Sequence, residues 1–175
     1  MLVRIVPLIT SLLPVAAIHG AYWIAIKAAT VPACVPYFSG CTSISATGRY
    51  PPASYLFKAV MMPEAVLLIV YWVLSTCWLR ALSRQYRGAV SSYFALDIVV
   101  AGAGGALALI LYVTFLGTQE AFYEVMRRFG IYFYFLLTVV AQLLLASRVR
   151  RIARQNSLHD LYGLATAQWL LALTP

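Results

Sequence analysis

The sequence predicts an all-α fold, a polytopic bundle of transmembrane helices, and three observations lead there. First, 63% of the 175 residues are hydrophobic and only 10% are charged, against roughly 25% charged residues in soluble domains. Second, the apolar residues fall into runs long enough to cross a hydrocarbon core of about 30 Å at about 1.5 Å per residue. The polar stripes at helical spacing that a soluble bundle needs are missing over whole spans. Third, the basic residues gather in short connectors between those runs. By length the chain is a single domain, covering 1–175.

The first run covers about residues 5–31, with Pro7 and Pro14 inside it. It is too long for a signal-peptide core, and no small-residue cleavage site follows closely, so it spans and stays. Ala17, Ala21, Ala25 and Ala29 recur every fourth residue and give one flat face for close helix packing. A loop rich in Ser, Thr, Gly and Pro follows over 32–54. Those residue types favour turns and side-chain-to-backbone hydrogen bonds, so the loop reads as a defined structure.

The second run, about 55–79, carries Pro63-Glu64 inside it and ends in the basic connector Arg80–Arg87. The third, about 93–116, holds Gly102, Gly104 and Gly105. Its connector, Gly117 to Arg128, mixes Glu120 and Glu124 with Arg127 and Arg128. The fourth, about 129–147, is followed by Arg148, Arg150, Arg151 and Arg154. Four complete spans are expected. A fifth apolar stretch, 158–175, carries Asp160 near its head and ends on a proline. It reads as a partial or truncated span, because a helix ending without an interfacial anchor is unusual.

The net charge of +8 would suggest nucleic acid in a soluble domain. Here it sits in membrane connectors, so topology explains it, and membrane lipids of an anionic leaflet are the expected partner rather than nucleic acid. Arg4 and the two arginine-rich connectors hold eight of the thirteen Lys and Arg residues. The positive-inside rule then puts the N-terminus in the cytoplasm of a plasma or inner membrane and turns loop 32–54 outward. Cys34 and Cys41 fall on that oxidising side, where a disulfide would clip the loop; two free thiols are the alternative. Cys77 lies in a span and reads as a small inert hydrophobe.

Glu64 is the most informative single residue. An acid inside a span costs a few kcal/mol on insertion scales, so it is expected to face the bundle interior and find a partner. Pro63 frees a backbone carbonyl one turn earlier. Counted from the outer helix ends, Lys27 lies about 6 Å deep, Glu64 about 12 Å and His19 about 18 Å, so a Lys27–Glu64 pair or a Glu64–His19 hydrogen bond is open. Either is a structural clasp or part of a lipid-headgroup site, with Arg49 or Arg128 available to hold a phosphate. Asp97 is expected to pair with Arg84 or Arg87, and Gln142 to hydrogen-bond between helices.

Other motifs carry packing rather than chemistry. The run Gly102-Ala-Gly-Gly105 lacks the third glycine and the preceding strand of a dinucleotide fingerprint, and it offers small-x-x-x-small helix packing. Two histidines, His19 and His159, fall on opposite sides, so no metal and no cofactor is expected. Most of the twelve tyrosines and four tryptophans lie near span ends, as interfacial anchors do.

Ser43-Ile-Ser-Ala-Thr-Gly48, then Pro51-Pro52 and Leu56-Phe57, resembles the signature of the FRAG/DRAM/SFK family of small polytopic membrane proteins. That family groups autophagy modulators with factors that remodel lipid on glycosylphosphatidylinositol anchors. Gly117-Thr-Gln-Glu120 and Met126-Arg-Arg-Phe-Gly130-Ile-Tyr-Phe-Tyr134 are similar to its second landmark, a polar connector opening a later helix. The resemblance implies a six-span fold with an outward loop after the first helix. Where many relatives carry Asp this chain has Ala46, and where many carry a histidine it has Arg127-Arg128, which suits a non-enzymatic relative or one with a different site. Two function classes follow. One is a non-catalytic integral membrane protein, a lipid-associating scaffold or a subunit of a larger membrane complex. The other is a lipid-modifying enzyme or lipid transporter using Glu64 with His19 or Lys27 beneath the outward loop.

Overall fold

A computed structural model of the chain describes residues 2–86 and 95–173. Among the described residues seven helices follow in order: α1 Leu2–Lys27, α2 Pro36–Ser39, α3 Ile44–Thr47, α4 Ala53–Gln85, α5 Leu96–Thr114, α6 Ala121–Gln155 and α7 His159–Leu171. No strand occurs among the described residues. Four of the helices, α1, α4, α5 and α6, are long and apolar enough to cross a membrane.

The helix ends differ from the apolar runs for local reasons. α1 stops at Lys27 rather than near residue 31. Pro32 disfavours helical backbone just before it, and Ala29 turns left-handed at φ 54° while Thr30 N–H donates back to the Ala25 carbonyl at 3.0 Å. α6 begins at Ala121 and absorbs most of what reads in sequence as a polar connector. Glu124 pairs with Arg128 at 2.7 Å and with Arg127 at 3.5 Å, and such pairs three and four residues apart carry a helix on past the apolar span. α4 likewise continues through Arg80 and Arg84 to Gln85; Arg87 and Tyr93 lie outside the described residues. With 33 and 35 residues, α4 and α6 measure about 50 Å each, so their ends reach well beyond a hydrocarbon core of about 30 Å. The fifth apolar stretch forms the 13-residue α7, about 20 Å long and too short to cross.

Packing divides the chain into two units, Met1–Leu67 with Leu107–Tyr132, and Leu68–Ala106 with Phe133–Pro175. In the first unit, Ala17, Ala21 and Ala25 of α1 are buried, as their four-residue spacing predicts, whereas Ala29 lies exposed past the helix end. The absent side chain of Gly20 admits Leu56 of α4, and α3 packs against α1. Along α4 the buried positions Ala53, Phe57, Met61, Glu64 and Ala65 form one stripe at helical spacing.

In the second unit, Trp72 and Leu79 of α4, Ile98 of α5, and Leu145 and Ile152 of α6 form one core, with Ala165 of α7 packed into it. Gly102 carries the closest approach: a Cβ there would lie 2.2 Å from the Trp72 ring. The glycine run therefore packs helices, as its small-x-x-x-small spacing suggests. Asp97 does pair, but with Arg148 of α6 rather than with Arg84. Gln142 makes no side-chain hydrogen bond among the described residues.

Leu8, Leu12, Val66, Val73, Val100, Tyr132 and Leu136 point outward. Exposed apolar belts on helices of this length are surfaces for lipid. Cys77, a free thiol, is exposed among them.

Candidate functional site

The candidate in loop 32–54 is assembled by short-range chemistry. Pro36 opens α2 at the first helical position, and Gly40 closes it at φ 60° with its N–H on the Pro36 carbonyl. Ser43 caps α3, its hydroxyl accepting from Ala46 N–H at 3.2 Å. Cys34 and Cys41 are joined as a disulfide with Cα atoms 6.7 Å apart, clipping the loop that contains α2. Tyr22 of α1 ties that clip to the bundle: its hydroxyl accepts from Cys34 N–H at 3.1 Å and donates to the Cys34 carbonyl.

These ties hold a groove of about 210 Å³ between α1 and the loop, lined by Ile18, His19, Tyr22, Val35, Tyr37 and Thr47 among others. His19 Nδ1 bonds the Val15 carbonyl at 2.8 Å. That leaves Nε2 to accept from the Tyr37 hydroxyl at 3.2 Å. The groove continues a stripe of α1: Leu8, Leu12 and Val15 are exposed, and His19 and Tyr22 follow at the same alternation of four and three residues.

A second feature lies where the loop meets the segment after α5. Gly117, at φ +94°, presses against the Arg49 carbonyl so closely that a Cβ would sit 2.3 Å from it. Only glycine satisfies both the left-handed backbone and the contact. The two stretches that carry the family resemblance in sequence thus touch at Arg49–Gly117. Arg49 Nε is buried without a hydrogen-bond partner, and Arg49 and Arg127 both lie within electrostatic reach of the Tyr112 hydroxyl.

The remaining sequence candidates separate. Glu64 is 0% exposed, and neither carboxylate oxygen has a partner. The Gly20–Leu56 contact fixes the register of α1 against α4 and explains this. It sets Glu64 level with residue 12, about 10 Å along the axis from His19 and about 22 Å from Lys27. Lys27 instead extends over the Trp23 ring at 5.4 Å. The depths counted from the ends of the apolar runs missed this offset, because the loop holds two helices and sends α4 off from a different level. Arg128, a candidate phosphate holder, is exposed and paired with Glu124 at 2.7 Å. No group of three or more His, Cys, Asp or Glu side chains that could hold a metal occurs among the described residues.

Sequence reasoning gave no site role to Tyr22, Tyr37 or Tyr112. Tyr37 lies between the two cysteines, and that placement was the only available hint of its role.

No curated protein and no solved structure matches this chain. The sequence pattern described as the Frag1/DRAM/Sfk1/Cwh43P N-terminal domain matches residues 2–173, nearly the whole chain. With its apolar helices, its loop after the first span and its second landmark in contact with that loop, this integral membrane protein belongs to the Frag1/DRAM/Sfk1 family.

Proposed function

We propose that the protein is a non-catalytic, lipid-associating membrane protein, acting as a scaffold or as a subunit of a larger membrane complex. Its N-terminus lies in the cytoplasm and its loop 32–54 faces outward. The observation that carries the reading is the continuity of the exposed α1 stripe, Leu8, Leu12 and Val15, with the groove of His19, Tyr22 and Tyr37. An acyl chain lying along that stripe meets, at its polar end, a pocket that is apolar in its walls and edged by a tyrosine hydroxyl and an imidazole. Such a pocket suits the transition from chain to headgroup, where amphipathic aromatic residues are most stable. The disulfide and the Tyr22 bonds hold the groove open in advance, which lowers the ordering cost of binding.

The test has two parts. A cysteine introduced at Ala53 should react with an impermeant reagent from outside, and one at Gln85 should not; the reverse labelling would overturn the orientation. A photoreactive side chain at residue 37 should then crosslink to phospholipid in proteoliposomes. Crosslinking there no stronger than at the loop residue Ser45 would remove lipid from the groove.

A second reading, a lipid-modifying enzyme or lipid transporter, is favoured by Glu64, since intramembrane acids mark functional sites. It rests on Glu64 without His19 or Lys27. Glu64→Gln that left both activity and bound-lipid content unchanged would end it.

A further inference from the structure

At the far end of α6, well away in sequence from the outward loop, three arginines converge instead of radiating. Arg150, Arg151 and Arg154 line one open concavity of about 850 Å³, together with Gln155, Tyr162 and Trp169. Among the described residues no carboxylate lies within salt-bridge distance of these three. Arg127, Arg128 and Arg148 each have one: Glu124 for the first two and Asp97 for the third. Asp160, the nearest acid in sequence, sits exposed on α7 and pairs with none of them.

Arg150 is also held in place. Its guanidinium lies over the Trp169 ring at 5.3 Å and over the Tyr162 ring at 5.5 Å. Hydrogen bonding and charge from Arg150 hold the Tyr162 phenol below the ordinary tyrosine range. Stacking on aromatic faces fixes the plane of a guanidinium while leaving N–H edges free to donate, the geometry that suits bidentate binding of a tetrahedral oxyanion. A solvated arginine cluster that served only to orient the chain would need no such clamp, since the positive-inside effect depends on charge count alone.

From this convergence we infer that the α6–α7 hairpin forms a binding site for a phosphate monoester, with Arg150, Arg151 and Arg154 as its donors and Gln155 at its rim. The ester is either the headgroup of an acidic phospholipid or a soluble phosphate ester of the adjoining aqueous phase. The site is independent of the outward groove. It discriminates by oxyanion shape and charge, so a phosphomonoester is favoured over the phosphodiester of phosphatidylserine.

The experiment uses the full chain in nanodiscs of phosphatidylcholine doped with either phosphatidic acid or phosphatidylserine, with retained lipid read by native mass spectrometry. Wild type should keep phosphatidic acid in preference to phosphatidylserine. Arg150→Lys with Arg154→Lys, which preserves charge and hence topology, should lower that retention by about tenfold through loss of bidentate bonds. Soluble glycerol phosphate, added in excess, separates the two sources. Displacement of the lipid would assign the site to free phosphate esters, and persistence of the adduct would assign it to the lipid. Equal retention of the two acidic lipids, retention unchanged in the double lysine variant, or a wild type that holds neither phosphatidic acid nor glycerol phosphate would each overturn the proposal.

Discussion

Of the acids on the membrane-crossing helices, Asp97 and Glu64 have surroundings that differ completely. Asp97 stands in the first turn of α5, with its side chain 42% exposed. One oxygen accepts from Ile98 N–H at 2.7 Å and the other from Arg148. It does three ordinary jobs at once, capping a helix N-terminus, complementing the helix dipole and joining α5 to α6. Glu64 lies eleven residues into α4, on the buried stripe, with neither a donor nor a cation. A helix end supplies free N–H groups and nearby solvent to any acid placed there, whereas a mid-helix core position supplies nothing. The comparison teaches that Asp97 explains itself structurally and Glu64 does not.

The largest effect expected from this contrast is at Arg148. Arg148→Met strands Asp97 and should lower stability by about 2–3 kcal/mol, below the full cost of breaking a buried pair because Asp97 is partly exposed. Asp97→Asn combined with Arg148→Met should cost less than the sum of the two, as thermal unfolding in mild detergent would show. Additive losses would mean that the pair contributes nothing as a pair.

Next in size is the disulfide. Replacing Cys34 and Cys41 by serine should cost about 2 kcal/mol, since the bridge closes a short loop. Alkylation of both thiols in unreduced protein would show instead that no bridge forms.

Smallest is Glu64 itself. Glu64→Met removes a buried polar group that has no partner to strand, so stability should stay within about 1 kcal/mol of wild type or rise. A loss as large as that of Arg148→Met would mean that Glu64 has a structural partner. Lys27→Met and Glu64→Gln should simply add, because the register places them about 22 Å apart.

How far the sequence reveals this molecule follows from the range of each interaction. Apolar runs and basic connectors are local signals, and they locate all four membrane-crossing helices. The alanine repeat of α1 marks its buried face for the same reason. Helix ends were harder to read, because ion pairs at Glu124 and a left-handed turn at Ala29 decide them after the apolar signal has stopped. Pairings between helices were not legible. Register depends on where α4 begins, and that is set by how α2 and α3 fold within the loop. One contact, Gly20 with Leu56, moves Lys27 away from Glu64 and leaves His19 to Tyr37. The Asp97 partner was hidden similarly: Arg84 is closer in sequence, and Arg87 lies outside the described residues, yet Arg148 is the residue that α6 brings alongside.

The groove beside α1 supports the central claim of lipid association, and bound lipid tests it most directly. Native mass spectrometry of protein released from phosphatidylcholine nanodiscs should show lipid retained by wild type. In Tyr37→Ala, which removes the hydroxyl on His19 and one wall of the groove, that retention should fall severalfold while thermal stability changes little, and Glu64→Gln should leave it intact. Equal retention by wild type and Tyr37→Ala would contradict the account and return attention to Glu64.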